Sequence, residues 1–351
     1  MAERQLVVFV AALSLGLVAM ADKAALTAAR LAKMDEFYTQ RVDIENELRH
    51  YRAHFADKVV LCNCDDPRQS EFFKYFAENF EKLKLKRLVA TCYKSQNVDL
   101  FSQHDCPRAI KQVYEGDKNG NMIVDDDEVG VSELKGDGDF RSEECIELLK
   151  QADIIVTNPP FSLFREYVAL LMEYGKKFLI IGNQNAITYK EIFPLLKSNK
   201  IWIGYKFGDM AFKVPADSEP RATRYWQDEN GQKWRSMGNV CWYTNLEIPK
   251  RHERLPLYKK YSPEEFPKYD NYEAINVDKT ADIPEDYEGV MGVPITFMDK
   301  YNPEQFEIIG LIAGNIRGLA GIPSSTGKDG PYMGGKLKYG RILIRHRRKA
   351  Q

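Results

Sequence analysis

ADIIVTNPPFS, residues 152–162, sets two prolines directly behind an apolar run. Ile154-Ile155-Val156 has the length and branching of a buried strand. Pro159 and Pro160 forbid its continuation, because they lack the N–H that a ladder needs. The strand must therefore end in a stiff turn at Asn158. Other segments repeat the pattern of a short apolar run followed by a helical one. Lys58–Cys64 reads as a strand closed by Asp65-Asp66-Pro67, where Asp66 suits a helix N-cap and Pro67 the first helical position. Phe72, Phe73, Phe76, Phe80 and Leu83 then fall on one helical face. Arg87–Cys92 and Lys177–Ile181 read as strands, and residues 143–152, 161–174 and 189–198 as helices. This alternation predicts an α/β fold, a parallel sheet with helices on both faces. Ligands bind such sheets beyond the carboxyl ends of the strands. Asp65, Asp66 and Asn158 all fall there.

The 351 residues suffice for a large core and two lobes, and 44% hydrophobic with 29% charged residues describes an ordinary globular chain. A net charge of −1 excludes a uniformly basic nucleic-acid binder but not a segregated one. Segregation is present. From Lys328 onward eight Lys/Arg stand against one acid, Asp329, whereas Glu115–Glu147 holds twelve acids against three bases and reads as a solvated face. Six cysteines without a CxxC pair, and no HExxH, signal neither a zinc site nor a disulfide framework. Reduced cysteines and no metal are expected. Residues 1–33 form an N-terminal extension whose apolar run Leu6–Val18, before Ala19-Met20-Ala21, has the layout of a secretory signal. As a membrane span it is short. A start at Met20 fits the cytoplasmic chemistry read below and is preferred; export is the minor reading.

Two lookalikes fall away. DKNGNMIVDDDE (117–128) carries acids or amides at EF-hand positions, but Met122 stands where the sharp turn needs glycine. A hairpin turn between Val113-Tyr114 and Met122–Val124 is expected instead. GIPSSTGKD (321–329) has one residue too many for a phosphate loop and reads as a mobile loop.

The turn Asn158-Pro159-Pro160-Phe161 has chemistry of its own. Fixed proline dihedrals aim the Asn158 side chain and the Pro159 carbonyl the same way. Two aligned acceptors match the two hydrogens of an exocyclic amine such as adenine N6, and draw its lone pair out of ring conjugation. Phe161 offers a face for the ring. An activated methyl donor supplies the electrophile, so geometry and electrostatics suffice without a His or Cys. A proline-capped strand end with a structural asparagine is the plain alternative.

TNPPFSLFREY, with DEFYTQ (35–40), CNCDDPR (62–68) and GDGDFRS (136–142), resembles the EcoRI-type adenine-specific DNA methyltransferases. KKFLIIGN, KYDNYEAINV and GVMGVPITFMDKYNPEQFE extend the resemblance over residues 34–310. It implies a Rossmann-like S-adenosylmethionine-dependent methyltransferase domain over 34–246. Residues 247–351, rich in Tyr, Pro and Asp, lose the strand–helix alternation and read as a smaller C-terminal target-recognition region. The resemblance also implies methyl transfer to adenine N6 in double-stranded DNA, within a restriction–modification, phage or orphan system. Base flipping follows, since N6 is otherwise paired.

On that resemblance Asn158, Pro159, Pro160 and Phe161 form the catalytic motif. Asp35 to Thr39, with Tyr38 and Thr39 as the contacts, lie beside the methionine end of the donor, Asp65 and Asp66 at the first cofactor motif, and Asp139 and Phe140 at the donor's adenine. The chain departs from most methyltransferases in lacking a Gly-x-Gly turn after the first strand, and an acid directly after Arg87–Cys92 for the ribose. Lys328, Lys336, Lys338 and Arg341 are the DNA-binding candidates, in a glycine-rich segment able to close over a backbone. The rivals are transfer to cytosine N4, an RNA base or a protein glutamine, and a DNA-binding protein without catalysis. A monomer with no metal and no membrane association is expected.

Overall fold

A computed structural model describes residues 38–93, 108–125, 127–214, 220, 222–314 and 316–347. The signal-like run, Asp35 and Cys106 lie outside the described residues. One sheet collects ten strands: β1 (Tyr38–Thr39), β2 (Val59–Asn63), β3 (Arg87–Thr91), β4 (Ile110–Tyr114), β5 (Val129–Glu133), β6 (Ile154–Thr157), β7 (Lys177–Asn183), β8 (Trp202–Lys213), β9 (Tyr225–Gln227) and β10 (Lys233–Thr244). Their spatial order is β1-β8-β10-β7-β6-β2-β3-β4-β5, with β9 on β10. The core β3-β2-β6-β7 is parallel. Its Val-, Leu- and Ile-rich runs are buried on both faces, as parallel strands require. β10 inserts antiparallel between β7 and β8, which returns β8 to the direction of the core.

The helices are α1 (Arg41–Leu48), α2 (Glu71–Glu78), α3 (Phe80–Leu83), α4 (Glu143–Gln151), α5 (Phe164–Glu173) and α6 (Phe193–Lys197). Phe72, Phe73, Phe76, Phe80 and Leu83 are all buried, although the helix breaks at Asn79 into α2 and α3. It also starts later than expected. Ser70 is the N-cap, and Asp66 instead closes an earlier turn by accepting the Arg68 N–H. The helix expected over 189–198 shrinks to α6, with Pro194 in its first turn. β8 is absent from the strands read in the sequence, because two glycines and a register shift interrupt its alternation.

The hairpin expected at Met122–Val124 forms elsewhere: β4 pairs with β5. The loop between them is held by two carboxylates. Asp117 accepts the N–H groups of Gly120 and Met122, and buried Glu128 those of Lys118 and Asn119. Met122 takes φ 60°, the left-handed conformation expected of a glycine. Cys62, Cys64, Cys145 and Cys241 are free thiols, as expected, but Cys92 is disulfide-bonded. No helix among the described residues is long and apolar enough to cross a membrane.

The remaining strands are β11 (Ile275–Asn276), β12 (Met291–Pro294), β13 (Phe306–Ile312), β14 (Tyr332–Met333), β15 (Lys336–Leu337) and β16 (Arg341–His346). They form a four-stranded sheet, β11-β12-β16-β13, and a two-stranded hairpin, β14-β15. This sheet shares its core with the large one: Ile187, Leu196 and Ile201 join Phe297, Ile308, Leu311 and Ile344 in one cluster. A polar network supports the junction. Lys250 Nζ donates to the carbonyls of Gly204 (2.7 Å) and Tyr205 (3.1 Å) and pairs with Asp299 (2.6 Å).

Across β8 from Lys250 stands Glu47, a fully buried carboxylate on α1. β8 bulges where Gly204–Lys206 face the single residue Trp242, freeing backbone donors. Glu47 accepts the N–H groups of Tyr205 and Lys206, both at 2.7 Å, and the Tyr51 hydroxyl at 2.8 Å. Gly204 makes room, since a Cβ there would lie 2.3 Å from the Glu47 carboxylate. Burial raises the Glu47 pKa, and the three hydrogen bonds oppose the rise. Glu47→Ala strands these donors and should lower stability by about 2 kcal/mol, at about 1–3 kcal/mol for an orphaned buried group. Urea unfolding of the two proteins measures it.

Candidate active site

β2 and β6 are neighbours, so their carboxyl ends bring Asn63–Asp66 beside Thr157 and Asn158. Two hydroxyl groups tie these ends together. Thr157 donates to the Asn63 carbonyl, and Tyr167, from α5, donates to the Asn63 amide oxygen. The Tyr167 ring is fully buried and meets Phe140 edge-on, with centroids 5.1 Å apart. One side chain thus touches the strand end at 63 and the loop at 140. Tyr167 falls inside the helix expected over 161–174 and carries no role in the sequence analysis. The signal available was a tyrosine on a buried helical face, whose hydroxyl needs a partner.

Asn158 is 7% exposed and Pro159 is buried behind it. The Pro160 carbonyl accepts the Leu163 N–H and opens the 3₁₀ turn Phe161–Leu163, which runs into α5. The prolines therefore convert a strand into a helix within three residues. Phe161 packs on the apolar cluster containing Phe72 and Trp242, yet stays partly exposed.

The turn after β2 has no glycine, and Cys64 supplies the conformation instead. Its φ is 88°, which costs a non-glycine residue about 1–3 kcal/mol. Of the two aspartates that follow, Asp66 is buried and engaged by the Arg68 guanidinium (2.7 and 3.1 Å). Asp65 is the more open, with the Ser70 hydroxyl 3.3 Å away. The GDGDFRS loop reaches the end of β3 through Gly138 (φ 80°), where a Cβ would sit 2.1 Å from the Cys92 carbonyl oxygen. That contact sets Asp139 and Phe140 beside the strand that lacks its own terminal acid. Arg141 binds the Asp139 carboxylate at 2.7 and 2.9 Å and holds its pKa below the usual range, against the effect of burial.

The β8–β10 pair overhangs the site. Val240 faces Asn183, the last residue of β7, so residues 233–239 run past the core strands by about 20 Å at ~3.3 Å per residue. β1 lies on this arm, with Thr39 opposite Phe212. Thr39 is 2% exposed, and its hydroxyl has no hydrogen-bond partner among the described residues. Buried hydroxyls are normally satisfied, so this one marks room for a polar ligand group. On the arm's outer face Trp226 stacks on Trp234 (6.2 Å, 6°), with Lys213 Nζ 5.8 Å from the Trp234 ring. These residues escaped the sequence reading. Tryptophans flanking the turn Asp228–Gly231 were the signal for a hairpin.

Of the basic candidates, Lys336 and Lys338 are exposed, and Lys328 lies over the Tyr332 ring at 4.7 Å. Arg341 differs: its side chain is 11% exposed and pairs with Asp278 at 3.3 Å. The loop expected to be mobile is pinned, since Asn271 and Tyr272 both donate to the Lys328 carbonyl. No group of three metal-binding side chains occurs among the described residues. His50 and His54 stand at helical spacing but are engaged separately, by stacking on Tyr205 and by the Glu247 carbonyl.

A parallel sheet extended by a reversed strand, with an Asn-Pro-Pro-Phe turn at its carboxyl edge, defines a Rossmann-like methyltransferase. The model of the family described as adenine-specific methyltransferase EcoRI matches residues 25–347, and the chain belongs to that family. It is 52% identical over 324 residues to the type II methyltransferase M.EcoRI of Escherichia coli, covering 91% of this chain and 95% of that protein. It is 37% identical over 329 residues to a type II methyltransferase of Mycoplasma genitalium, covering 90% and 97%. It is 37% identical over 331 residues to M.MpnI of Mycoplasma pneumoniae, covering 91% and 97%. No solved structure matches. The expected fold, family and enzyme class all hold.

The Cys64 turn yields a paired prediction. Cys64→Gly relieves the backbone and should leave the melting temperature unchanged or raised. Cys64→Val places a β-branched residue at positive φ and should cost about 1–3 kcal/mol. Thermal unfolding distinguishes the two.

Proposed function

We propose that this adenine-specific methyltransferase transfers the methyl group of S-adenosylmethionine to N6 of an adenine flipped out of double-stranded DNA. The reaction is site-specific and serves a restriction–modification, phage or orphan system. The observation that carries the reading is the buried Asn158 on a proline-stiffened turn, tied through Thr157 to the first loop of the sheet.

S-adenosylmethionine supplies the electrophilic methyl group. The residues present fit it: the Thr39 hydroxyl has no hydrogen-bond partner among the described residues, Asp65 is partly open, and Gly138 brings Asp139 and Phe140 to the end of β3. Thr39 and Tyr38 would hold its amino-acid end, Asp65 would face it from the loop after β2, and Phe140 and the Asp139 backbone would hold its adenine. Asp66 acts through Arg68 and holds the loop.

At the acceptor, the Asn158 amide oxygen and the Pro159 carbonyl would each accept a hydrogen bond from one N6–H, turning the N6 lone pair out of the ring plane. As the N6–carbon bond forms, the carbon–sulfur bond breaks with its electrons left on sulfur, and N6 sheds one proton to water. Phe161 stacks on the flipped base and keeps it from rotating. The rigid turn avoids reorganisation at the moment of transfer. Residues 34–246 carry this chemistry and 247–351 the recognition of the target, in a monomer working in the cytoplasm, where its DNA is. Cytosine N4 and protein glutamine lose support in an adenine-specific family.

Asn158→Ala should lower turnover by about 10²–10³, the cost of removing one group that acts mainly at the transition state. Donor affinity, measured by titration calorimetry, should change little; a variant keeping half its activity would sink the assignment.

Lys336 and Lys338 are assigned to phosphates. Replacing both with alanine should weaken binding to all duplexes and reduce the log–log salt slope by about 0.9 for each lost contact. Fluorescence anisotropy across a salt series reads this.

A further inference from the structure

The hairpin β14–β15 is more rigid than a solvated tail requires. Gly334 and Gly335 form its two-residue turn with φ 56° and 72°, both left-handed, as a type I′ turn demands. Their N–H groups donate to the Asp270 carboxylate at 3.1 and 2.8 Å. The ladder continues one step, from Lys338 N–H to the Pro331 carbonyl (2.8 Å), and Arg341 holds the Tyr339 carbonyl at 3.3 Å. Strand alternation puts Lys336 and Leu337 on opposite faces of β15.

Leu337, 51% exposed, rests against Gly314 and Gly330, where a Cβ would collide with it at 2.9 and 2.1 Å. Tyr339 is 88% exposed. The fold therefore fixes the backbone under Tyr339 while leaving its ring in solvent. The hairpin leads into Arg341, which pairs with Pro294. Pro294 starts the segment Ile295–Lys300, which packs on Gln184–Thr188 where the chain leaves the carboxyl end of β7. This connects the hairpin's base to the active-site side of the sheet.

We propose that residues 332–339 enter the major groove of the target duplex and that Tyr339 contacts base edges and sets sequence choice. The inference rests on the DNA-methylation reading and names its specificity element. The groove admits a two-stranded ribbon. The exposed Lys336 and Lys338 carry charge that complements the duplex. Lys336 and Lys338 hold phosphates, which position without reading, whereas the Tyr339 ring, exposed where the second strand runs out toward Arg341, meets bases.

Sequencing DNA from a host expressing the wild-type enzyme identifies the methylated site, and duplexes carrying that site and its single-base variants become the probes. Tyr339→Ala should lower the ratio of kcat/KM for the site over its best variant by about tenfold, in line with one lost base contact. Its melting temperature and donor affinity should match wild type, because the ring is exposed. Lys336→Ala/Lys338→Ala should weaken all duplexes alike and keep the ratio. A ratio unchanged in Tyr339→Ala, with or without a uniform loss of rate, would overturn the proposal and leave the methylation reading standing. A wild-type enzyme that leaves no N6-methyladenine in host DNA would overturn both, before any substitution is made.

Discussion

The candidate site depends on two hydroxyl groups that converge on Asn63. Parallel strands are fixed to one another only as far as their ladder runs, and β2 and β6 both end at the candidate site. The bonds from Thr157 and Tyr167 to Asn63 carry the alignment past the ladder. They lie in the interior, where low polarity strengthens a satisfied hydrogen bond and makes an unsatisfied one costly. Methyl transfer requires donor and acceptor in near-attack geometry, and small displacements are expensive. A tie between the loop after β2 and the turn after β6 would meet that need in the proposed transfer.

Around that tie the chain makes its turns with uncommon residues. Cys64 and Met122 take left-handed conformations that glycine usually supplies. Each is held by its surroundings: Cys64 sits in the packed end of β2, and the Met122 N–H is caught by Asp117. Gly138 is the opposite case, a position where the Cys92 carbonyl excludes any side chain. Turn conformation here is set by close approach and hydrogen bonding more than by residue type.

The C-terminal sheet is joined to the catalytic sheet by a common core and by the Lys250–Asp299 pair beside the Glu47-capped bulge of β8. Orientation of any bound duplex relative to Asn158 would pass through this junction. Rigidity there serves positioning as directly as rigidity in the proline turn. The two halves of the chain are chemically distinct yet mechanically one.

Much of this was legible in the sequence, for local reasons. Apolar runs of strand length, the phenylalanine face of residues 72–83 and the two prolines after Val156 each act within a few residues, so they declare the parallel core and the place of Asn158. Resemblance to a known family added the segments at 38–39 and 139–140. Nonlocal features stayed hidden. β8 is broken by glycines and becomes a strand only because β10 and Glu47 satisfy its backbone. Tyr167 looks like core until Asn63 is seen beneath its hydroxyl. Asp66 and Arg341 carry charges that the sequence offers to ligands, and the fold spends them on Arg68 and Asp278. A sequence declares which groups are present; burial and partners, which depend on residues far along the chain, decide which remain available.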